Sequence, residues 1–490
     1  MGDYYELLGL DRTATAEDIR DAYFELARAT HPDTNPVPSA METFLEIQEA
    51  YEVLRDPHKR RKYDSYLPGD AAGEPKIKIT AKLSKSAIAS MNEPQLLYAL
   101  VDMECIASEE DHLLPQAHYC FVIDRSTSMS GERIEMVKAN FKRILPKLHA
   151  NDLVSIVTFS DWPEILCASS PVIQIDAIDE KIQGISCSGS TEIYKGLKAG
   201  VDLLRLGGIH NPALHLILLT DGRTYGDEEA CLELARQAFT QGITISAMGL
   251  GHEWDDVFLD KLASCTGGST VFVKSEEDLY NYLNHKIFLG NTIYAGNLRY
   301  EFKSDPDVNL KNVFRLQPEL MPLDIKGDIP LGDLAFGSKS QFLFEFVIGA
   351  IKSRKESIHL SRGRVKMDVY SAQSSTAKIR LNLSARLQDR VEKENPPVEI
   401  VKALSKLTLY QMQERNSRDV GNGEYHSAVK RMHYLASKLL SSGDRALARQ
   451  ILMEAENVNN QHSFSAEGEK RIKYGTRGLF LLPEPKPRIS

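Results

Sequence analysis

Two groups of residues in this 490-residue chain have types and spacings that could do chemistry. The first is rich in oxygen. Asp124, Ser126 and Ser128 follow an apolar run in FVIDRSTSM, Thr191 lies in SGSTEIYKGL, and Asp221 lies in LILLTDGRT. Each piece falls where a strand-like segment ends or a helix begins. Hydroxyls and carboxylates converging there are hard donors, suited to Mg2+ or Mn2+ in octahedral geometry. Taken singly, Ser and Asp at such junctions are the ordinary residues of turns and helix N-caps, so the metal reading rests on the five together. The second group is His31-Pro32-Asp33. Pro32 fixes its own φ and restricts His31 to extended backbone, which presents an imidazole and a carboxylate to a partner at fixed separation. Taken alone, the same tripeptide can simply cap the preceding helix and turn the chain.

Other catalytic signatures are absent. The chain has no GxxxxGK phosphate loop, no HExxH and no GxSxG nucleophile elbow. GLGHEW at 249–254 lacks the third glycine of a dinucleotide fingerprint, and the histidines, His252 included, form no metal-spaced cluster. A phosphotransfer aspartate at Asp124 would want a second carboxylate two residues on, where Ser126 stands. The expectation is therefore a protein that is not an enzyme, with a metal-dependent phosphohydrolase as the weakest alternative. Asp161 and Glu164, in TFSDWPE, are acidic residues on a loop that could rim the oxygen-rich group. Their default reading is that of solvated loop charges.

The elements that must position these residues follow from periodicity. Residues 4–66 are helical in pattern. Thr15 and Asp18 form a Thr-x-x-Asp capping box that opens a helix to about Ala29, with Ile19, Ala22, Tyr23 and Leu26 on its apolar face. A proline-containing loop with the tripeptide follows, then a helix from about Met41 to Leu54, then a short basic helix opened by Asp56-Pro57. LPGDAAGEPK at 67–76 reads as a linker. KIKITAKL and QLLYALVDMEC are strand-like. From 118 to 287, the apolar strands HYCFVID, LVSIVTF, LHLILLT, ITISAMGL and STVFV alternate with helical segments, the rhythm of a doubly wound parallel sheet. Short alternating strands return over 291–390, the pattern of a β-sandwich. Residues 77–107 are candidates for its first strands, with the α/β domain inserted. Residues 397–476 are helical again, and the basic stretch GEKRIKYGTRG within them reads as a solvated helix end, with a docking surface as the alternative. The expected fold class is multidomain α and α/β. Its parts run 1–66 helical, 67–76 linker, 77–116 first sandwich strands, 117–290 doubly wound α/β, 291–392 sandwich, 393–480 helical and 481–490 tail.

Composition bounds the function. An apolar content of 42% supports large folded cores, and a length of 490 suits about three or four domains. The net charge of −9 argues against nucleic acid or anionic lipid as the main partner. Residues 1–67 hold 14 Asp and Glu against 8 Lys and Arg, so the first unit carries most of that charge. The sequence has no signal-peptide pattern, Glu6 breaks a myristoylation motif, and no apolar run approaches the roughly 20 residues of a membrane span. Six cysteines (105, 120, 167, 187, 231 and 265) are scattered without a CxxC pair and read as buried thiols. These features together set the expectation of a cytoplasmic protein.

The order DYYELLGL, helix, HPDTN, helix, YEVLRDPHKRRKYD over residues 3–66 resembles a J-domain, the DnaJ-type module that recruits DnaK-type heat-shock chaperones. The resemblance implies that His31, Pro32 and Asp33, with Arg20 and Arg28 on the preceding helix, engage the chaperone ATPase and trigger ATP hydrolysis. That helix departs from the family. It reads IRDAYFELARAT, with Asp21 and Glu25 where basic residues are usual and Phe24 and Ala29 at other basic positions. Reversed charges slow a steered association, so recruitment is expected to be weak or to need a specialised chaperone. Arg60 and Arg61 lie on the wrong helix to substitute fully.

The string FVIDRSTSM with Thr191 and Asp221 resembles the metal-ion-dependent adhesion site (MIDAS) of von Willebrand factor A domains, over about residues 118–288. By that resemblance Ser126, Ser128 and Thr191 are direct or near-direct ligands, and Asp124 and Asp221 act directly or through water. A coordination position is left for the Asp or Glu of a protein partner. Ser190 stands where the family often has Gly. Together the two resemblances imply a co-chaperone that grips a client or assembly partner through Mg2+ or Mn2+ and hands it to a chaperone ATPase. The competing expectation is a protein-interaction scaffold with a degenerate J-domain.

Overall fold

The computed structural model describes residues 4–10, 14–30, 38–66, 75–108, 116–171, 175–206, 212–224, 226–351, 357–370, 375–388, 391 and 394–478. The chain divides into two compact units, Met1–Glu74 and Pro75–Ser490.

The first unit holds α1 (Tyr4–Leu7), α2 (Ala16–Thr30), α3 (Pro38–Leu54) and α4 (Pro57–Tyr66). The capping box at α2 is formed: Thr15 N–H donates to Asp18 Oδ2 at 2.8 Å, and Asp18 N–H to Thr15 Oγ1 at 3.1 Å. Reciprocal bonds of this kind satisfy amides that a helix start leaves unpaired. Asp56 caps α4, accepting from the amides of His58 at 2.8 Å and Lys59 at 3.2 Å. Its core joins Tyr5, Leu8, Ile19, Ile47, Ala50 and Leu54, all buried, with Tyr23 and Tyr51 stacked 4.0 Å apart. Arg60 is spent within this fold, its Nε donating to the Tyr5 hydroxyl at 2.7 Å.

The second unit begins with β1 (Ile77–Leu83), β2 (Ala87–Ala89) and β3 (Gln95–Cys105). Then come the strands of a separate layer: β4 (Ala117–Asp124), β5 (Leu153–Phe159), β6 (Pro163–Pro171), β7 (Ala213–Thr220), β8 (Ile243–Leu250) and β9 (Thr270–Val273). The chain then returns with β10 (Ile293–Lys303), β11 (Val308–Gln317), β12 (Met321–Pro322), β13 (Ile329–Ala335), β14 (Lys339–Ile348), β15 (Ser357–Val369) and β16 (Ser375–Gln388). Two five-stranded sheets, β1-β3-β14-β11-β12 and β13-β10-β15-β16-β2, face each other as a sandwich. Phe342, Phe344 and Phe346 of one sheet and Tyr300, Leu360 and Val365 of the other share its buried core.

The inserted layer is a six-stranded sheet of order β6-β5-β4-β7-β8-β9. Strand β4 is parallel to both β5 and β7, so the chain reverses its direction of winding beside β4. All eight residues of β4 are buried, the pattern of a parallel strand covered on both faces. Tyr119, Phe121 and Ile123 point to one core with α5 (Glu132–Ile144), α6 (Ile175–Gln183) and α10 (Glu276–Gly290). Cys120 and Val122 point to the other, with α7 (Ile193–Leu206), α8 (Glu228–Thr240) and α9 (Asp256–Ser264). Strand β6 pairs antiparallel with β5 at the sheet edge, and its mixed burial explains why PEILCASSP carries no apolar strand signal. Arg315 of β11 ties sandwich to sheet, donating to the carbonyls of Gly267 at 2.6 Å and Gly268 at 2.9 Å.

Four helices close the unit: α11 (Val398–Gly421), α12 (Tyr425–Ser442), α13 (Arg445–Gln461) and α14 (Gly468–Gly478). Ile400, Ala403 and Leu407 of α11 pack on Leu100, Leu316 and Leu343 of the sandwich. The basic stretch of α14 is not the expected solvated helix end; its cations are buried against another helix, as in the alternative reading of a docking surface. Lys470, Lys473 and Arg477 are 7%, 3% and 7% exposed. Arg477 makes a two-pronged pair with Asp260 at 2.7 Å on each arm, and Lys473 reaches the same carboxylate at 2.7 Å. Burial pushes Asp260 upward, but the charges of Arg477 and Lys473 outweigh it and hold its pKa at about 2.

All six cysteines are free. Five are buried, and Cys187 departs from the expectation in being only half-buried. Among the described residues, no helix is long and apolar enough to cross a membrane.

Candidate metal centre

The oxygen-bearing residues gather where the fold reverses. Asp124 ends β4, Asp221 directly follows β7, and Thr191 lies just before α7. In doubly wound sheets, the crevice at the carboxyl ends of the strands beside this reversal is where ligands bind.

Asp124 is fully buried, and each carboxylate oxygen has a partner. Oδ1 accepts from the Ser126 amide at 2.8 Å, and Oδ2 accepts from the Thr220 hydroxyl at 2.6 Å. Thr220 Oγ1 in turn accepts from the Gly222 amide at 3.2 Å. Burial raises the Asp124 pKa to about 6; the bonds from Thr220 and Ser126 work against the rise, and the charge of Asp221 adds to it. After Asp124 the chain makes one 3-10 turn, Thr127–Met129, anchored by the buried Met129. This turn carries the Ser126 and Ser128 hydroxyls 3.0 Å apart, and Ser128 Oγ donates to Asp221 Oδ1 at 2.8 Å. The result is a continuous row of oxygens, Ser126–Ser128–Asp221.

Thr191 reaches the site by close packing against Gly222. A Cβ on Gly222 would lie 2.9 Å from Thr191 Oγ1, so only glycine leaves that hydroxyl its place. The Thr191 loop is tied to the serine turn, with the Thr127 amide donating to Gly189 O at 3.1 Å and the Ser188 amide to Arg125 O at 2.8 Å. Asp161 is more than a solvated charge. It accepts from the Ser190 amide at 3.1 Å and from the Ser190 hydroxyl, which gives the serine in the usual glycine position a structural partner. Beside it, Trp162 is 69% exposed, with the Lys195 ammonium 4.0 Å from its ring centre.

Three residues of the site escaped sequence reasoning: Thr220, Arg133 and Glu253. Thr220 adjoins Asp221 and could have been noticed. Arg133 carries no local signal. Its Nη1 donates to Asp221 Oδ2, lies 3.2 Å from Ser128 O and 3.4 Å from Glu253 Oε2. Asp221 therefore turns one oxygen to the hydroxyls and the other to a guanidinium.

Among the described residues, no group of three or more His, Cys, Asp or Glu is placed to hold a metal ion. Two carboxylates and three hydroxyls, drawn together from three loops, are instead an all-oxygen set that fits a hard divalent cation.

In the first unit, His31, Pro32 and Asp33 lie outside the described residues, and so does the side chain of Arg28. Arg20 is described: it is exposed, 3.5 Å from Asp21 and 3.9 Å from Glu17. Phe24, one turn further on, is 60% exposed.

Comparison with known proteins agrees with this architecture. The family model of the DnaJ domain matches residues 3–64, that of the von Willebrand factor type A domain residues 120–285, and that of the Sll0103-like C-terminal alpha-helical domain residues 398–482. The chain thus carries an N-terminal DnaJ domain and a von Willebrand factor type A domain. It is 25% identical over 361 residues to the uncharacterized protein sll0103 of Synechocystis, covering 71% of this chain and 80% of that one. Its first 74 or so residues are similar to chaperone protein DnaJ of Caldicellulosiruptor saccharolyticus, 58% identical over 74 residues, 15% of this chain and 19% of that one. The chain spans about a fifth of the length of such DnaJ relatives. Among solved structures, a von Willebrand factor type A protein from Catenulispora acidiphila superposes with a TM-score of 0.67 at 14% identity, over 84% of this chain and 98% of that one. The ArnB paralog VWA2 of Sulfolobus acidocaldarius gives 0.54 at 14% identity, over 83% and 99%. Both share the fold.

Proposed function

We propose that this protein is a cytoplasmic co-chaperone that holds a protein partner through a divalent cation and presents it to a DnaK-type chaperone. The observation that carries the reading is the row of oxygens at the carboxyl end of β4 and β7, in a chain that also carries a DnaJ domain. Ser126, Ser128 and Thr191 would hold Mg2+ or Mn2+ with their hydroxyls, while Asp124 and Asp221 supply charge directly or through water. The bound ion would supply Lewis acidity toward an anionic oxygen.

The residues explain why a partner's carboxylate is wanted. Asp124 shares its charge with Thr220 and Ser126, and Asp221 shares its own with Arg133. Neither carboxylate is fully available to a dication, so an Asp or Glu from outside completes the neutralisation. Trp162 and Lys195 stand at the rim as contacts for that partner, and an exposed tryptophan is a typical interface anchor. On the DnaJ side, His31 and Asp33 would act on the chaperone ATPase.

The test is partner capture by the immobilised full chain. Capture in Mg2+ that is released by EDTA and absent in Asp124→Ala supports the proposal; capture indifferent to both overturns it. One observation favours the scaffold reading. Arg20 is matched by Glu17 and Asp21, and α2 exposes Phe24 instead of a basic row. A chain unable to stimulate any DnaK-type ATPase, yet still capturing partners through the metal, would be such a scaffold.

A further inference from the structure

The guanidinium of Arg133 sits in a built seat. Its floor is Gly251, at φ +69, where a Cβ would stand 3.0 Å from Arg133 Nη2. Its second counter-charge, after Asp221, is Glu253. The turn that carries both is clasped from outside. Arg223 Nε donates to Glu253 O at 2.9 Å. Lys470 of α14 donates to the carbonyls on either side, His252 O and, at 2.6 Å, Trp254 O. Three consecutive carbonyls are thus fixed, two of them by a helix more than 200 residues away in the chain. Lys470 also lies 4.6 Å over the Trp254 ring, whose indole N–H closes the turn on Gly251 O at 2.8 Å.

Resting on the metal reading above, we propose that α14 sets the divalent-ion affinity of the centre, with Lys470 and Glu253 as positioning residues acting through Arg133. Arg133 is a tethered cation that competes with the divalent ion for the charge of Asp221. Glu253, on the turn whose flanking carbonyls Lys470 holds, draws part of the guanidinium's charge away. When the turn loosens, Glu253 leaves for solvent while Arg133 stays on the buried Asp221, and Asp221 becomes a poorer donor. Partners of metal-ligating groups commonly change metal affinity by about 10–100-fold. Docking of the C-terminal helix and occupancy of the metal centre are therefore linked, and by reciprocity a bound ion favours the docked helix.

The experiment is Mn2+ titration of the full chain by calorimetry, with free Mn2+ counted by electron paramagnetic resonance. Glu253→Gln and Lys470→Met are expected to weaken Mn2+ binding by about two- to fivefold, the scale of an ion pair with one exposed partner, and Arg133→Gln to tighten it. Lys470→Met is expected to have no effect in the Arg133→Gln background. Lys473 and Arg477 keep α14 docked in the Lys470 variant, and the exposed Glu253 offers a second variant with little cost to folding. Unchanged affinity in both single variants overturns the inference, as does a Lys470 effect that persists without Arg133, which would mark a merely structural role. A wild-type chain that binds no Mn2+ fails differently, since it removes the metal reading itself.

Discussion

Replacing Arg477 by Met is expected to weaken the docking of α14 without unfolding the domains it touches. Asp260, Arg477 and Lys473 have side chains only 11%, 8% and 4% exposed. Removing one partner of a buried pair costs about 3–5 kcal/mol, chiefly because the remaining charge is stranded. Here Asp260 is not wholly stranded, because Lys473 still lies 2.7 Å away. The methionine also retains apolar contact with the rings of Tyr410 and Tyr474, now 5.5 and 5.1 Å from the guanidinium. The loss should fall at the lower end, about 3 kcal/mol, which is roughly a hundredfold in the docking equilibrium. Asp260→Asn strands Arg477, while Lys473 keeps its pair with Asp256, and should cost a similar amount. Native-state hydrogen exchange of the α14 amides reads the effect as roughly hundredfold faster exchange. Fluorescence gives an independent reading, because the chain has two tryptophans and only Trp254 is buried under α14. In a Trp162→Phe background, Arg477→Met should shift the Trp254 emission to the red and open it to acrylamide. Unchanged exchange and emission would refute the claim that this ion cluster holds the helix down.

Three further outcomes follow from the same geometry. Acid should release α14 late: the Asp260 pKa is depressed from 3.8 to about 2, so its contribution is complete above about pH 4 and is lost as pH falls toward 2, readable in Trp254 emission. Trp162→Ala should weaken capture of a metal-held partner roughly tenfold while leaving Mn2+ binding unchanged, the signature of a contact with the partner and not with the ion. Asp21→Lys on α2 should speed chaperone association at low salt, and the gain should shrink at physiological salt, since it adds the steering charge that Arg20 alone, beside Glu17 and Asp21, does not provide.

How much of this was legible in the sequence depended on the range of the interaction. The capping box of Thr15 and Asp18 spans four residues, and the structure forms it. Asp124, Ser126, Ser128, Thr191 and Asp221 stood out because strand ends and helix starts announce themselves in apolar periodicity, and the fold then brings those ends together. Arg133 did not stand out, since nothing around it in sequence reveals that the backbone will fold it over Gly251 and onto Asp221. The basic run of α14 gives no sign in sequence of what neutralises it, because its counter-charges, Asp256 and Asp260, lie 217 residues away in an unrelated helix. Strand β6 was missed for a different reason: as an edge strand it is buried on few positions, so it lacks the continuous apolar run that marked β4, β5 and β7.

A chain that joins a metal-held partner to a chaperone ATPase must act on that ATPase. The most direct test is single-turnover ATP hydrolysis by a DnaK-type chaperone from the same host, with the wild-type protein and with His31→Gln, at low and physiological salt. Acceleration by the wild type that is lost in the variant is expected. No acceleration with any host chaperone, or equal acceleration by both proteins, would contradict it.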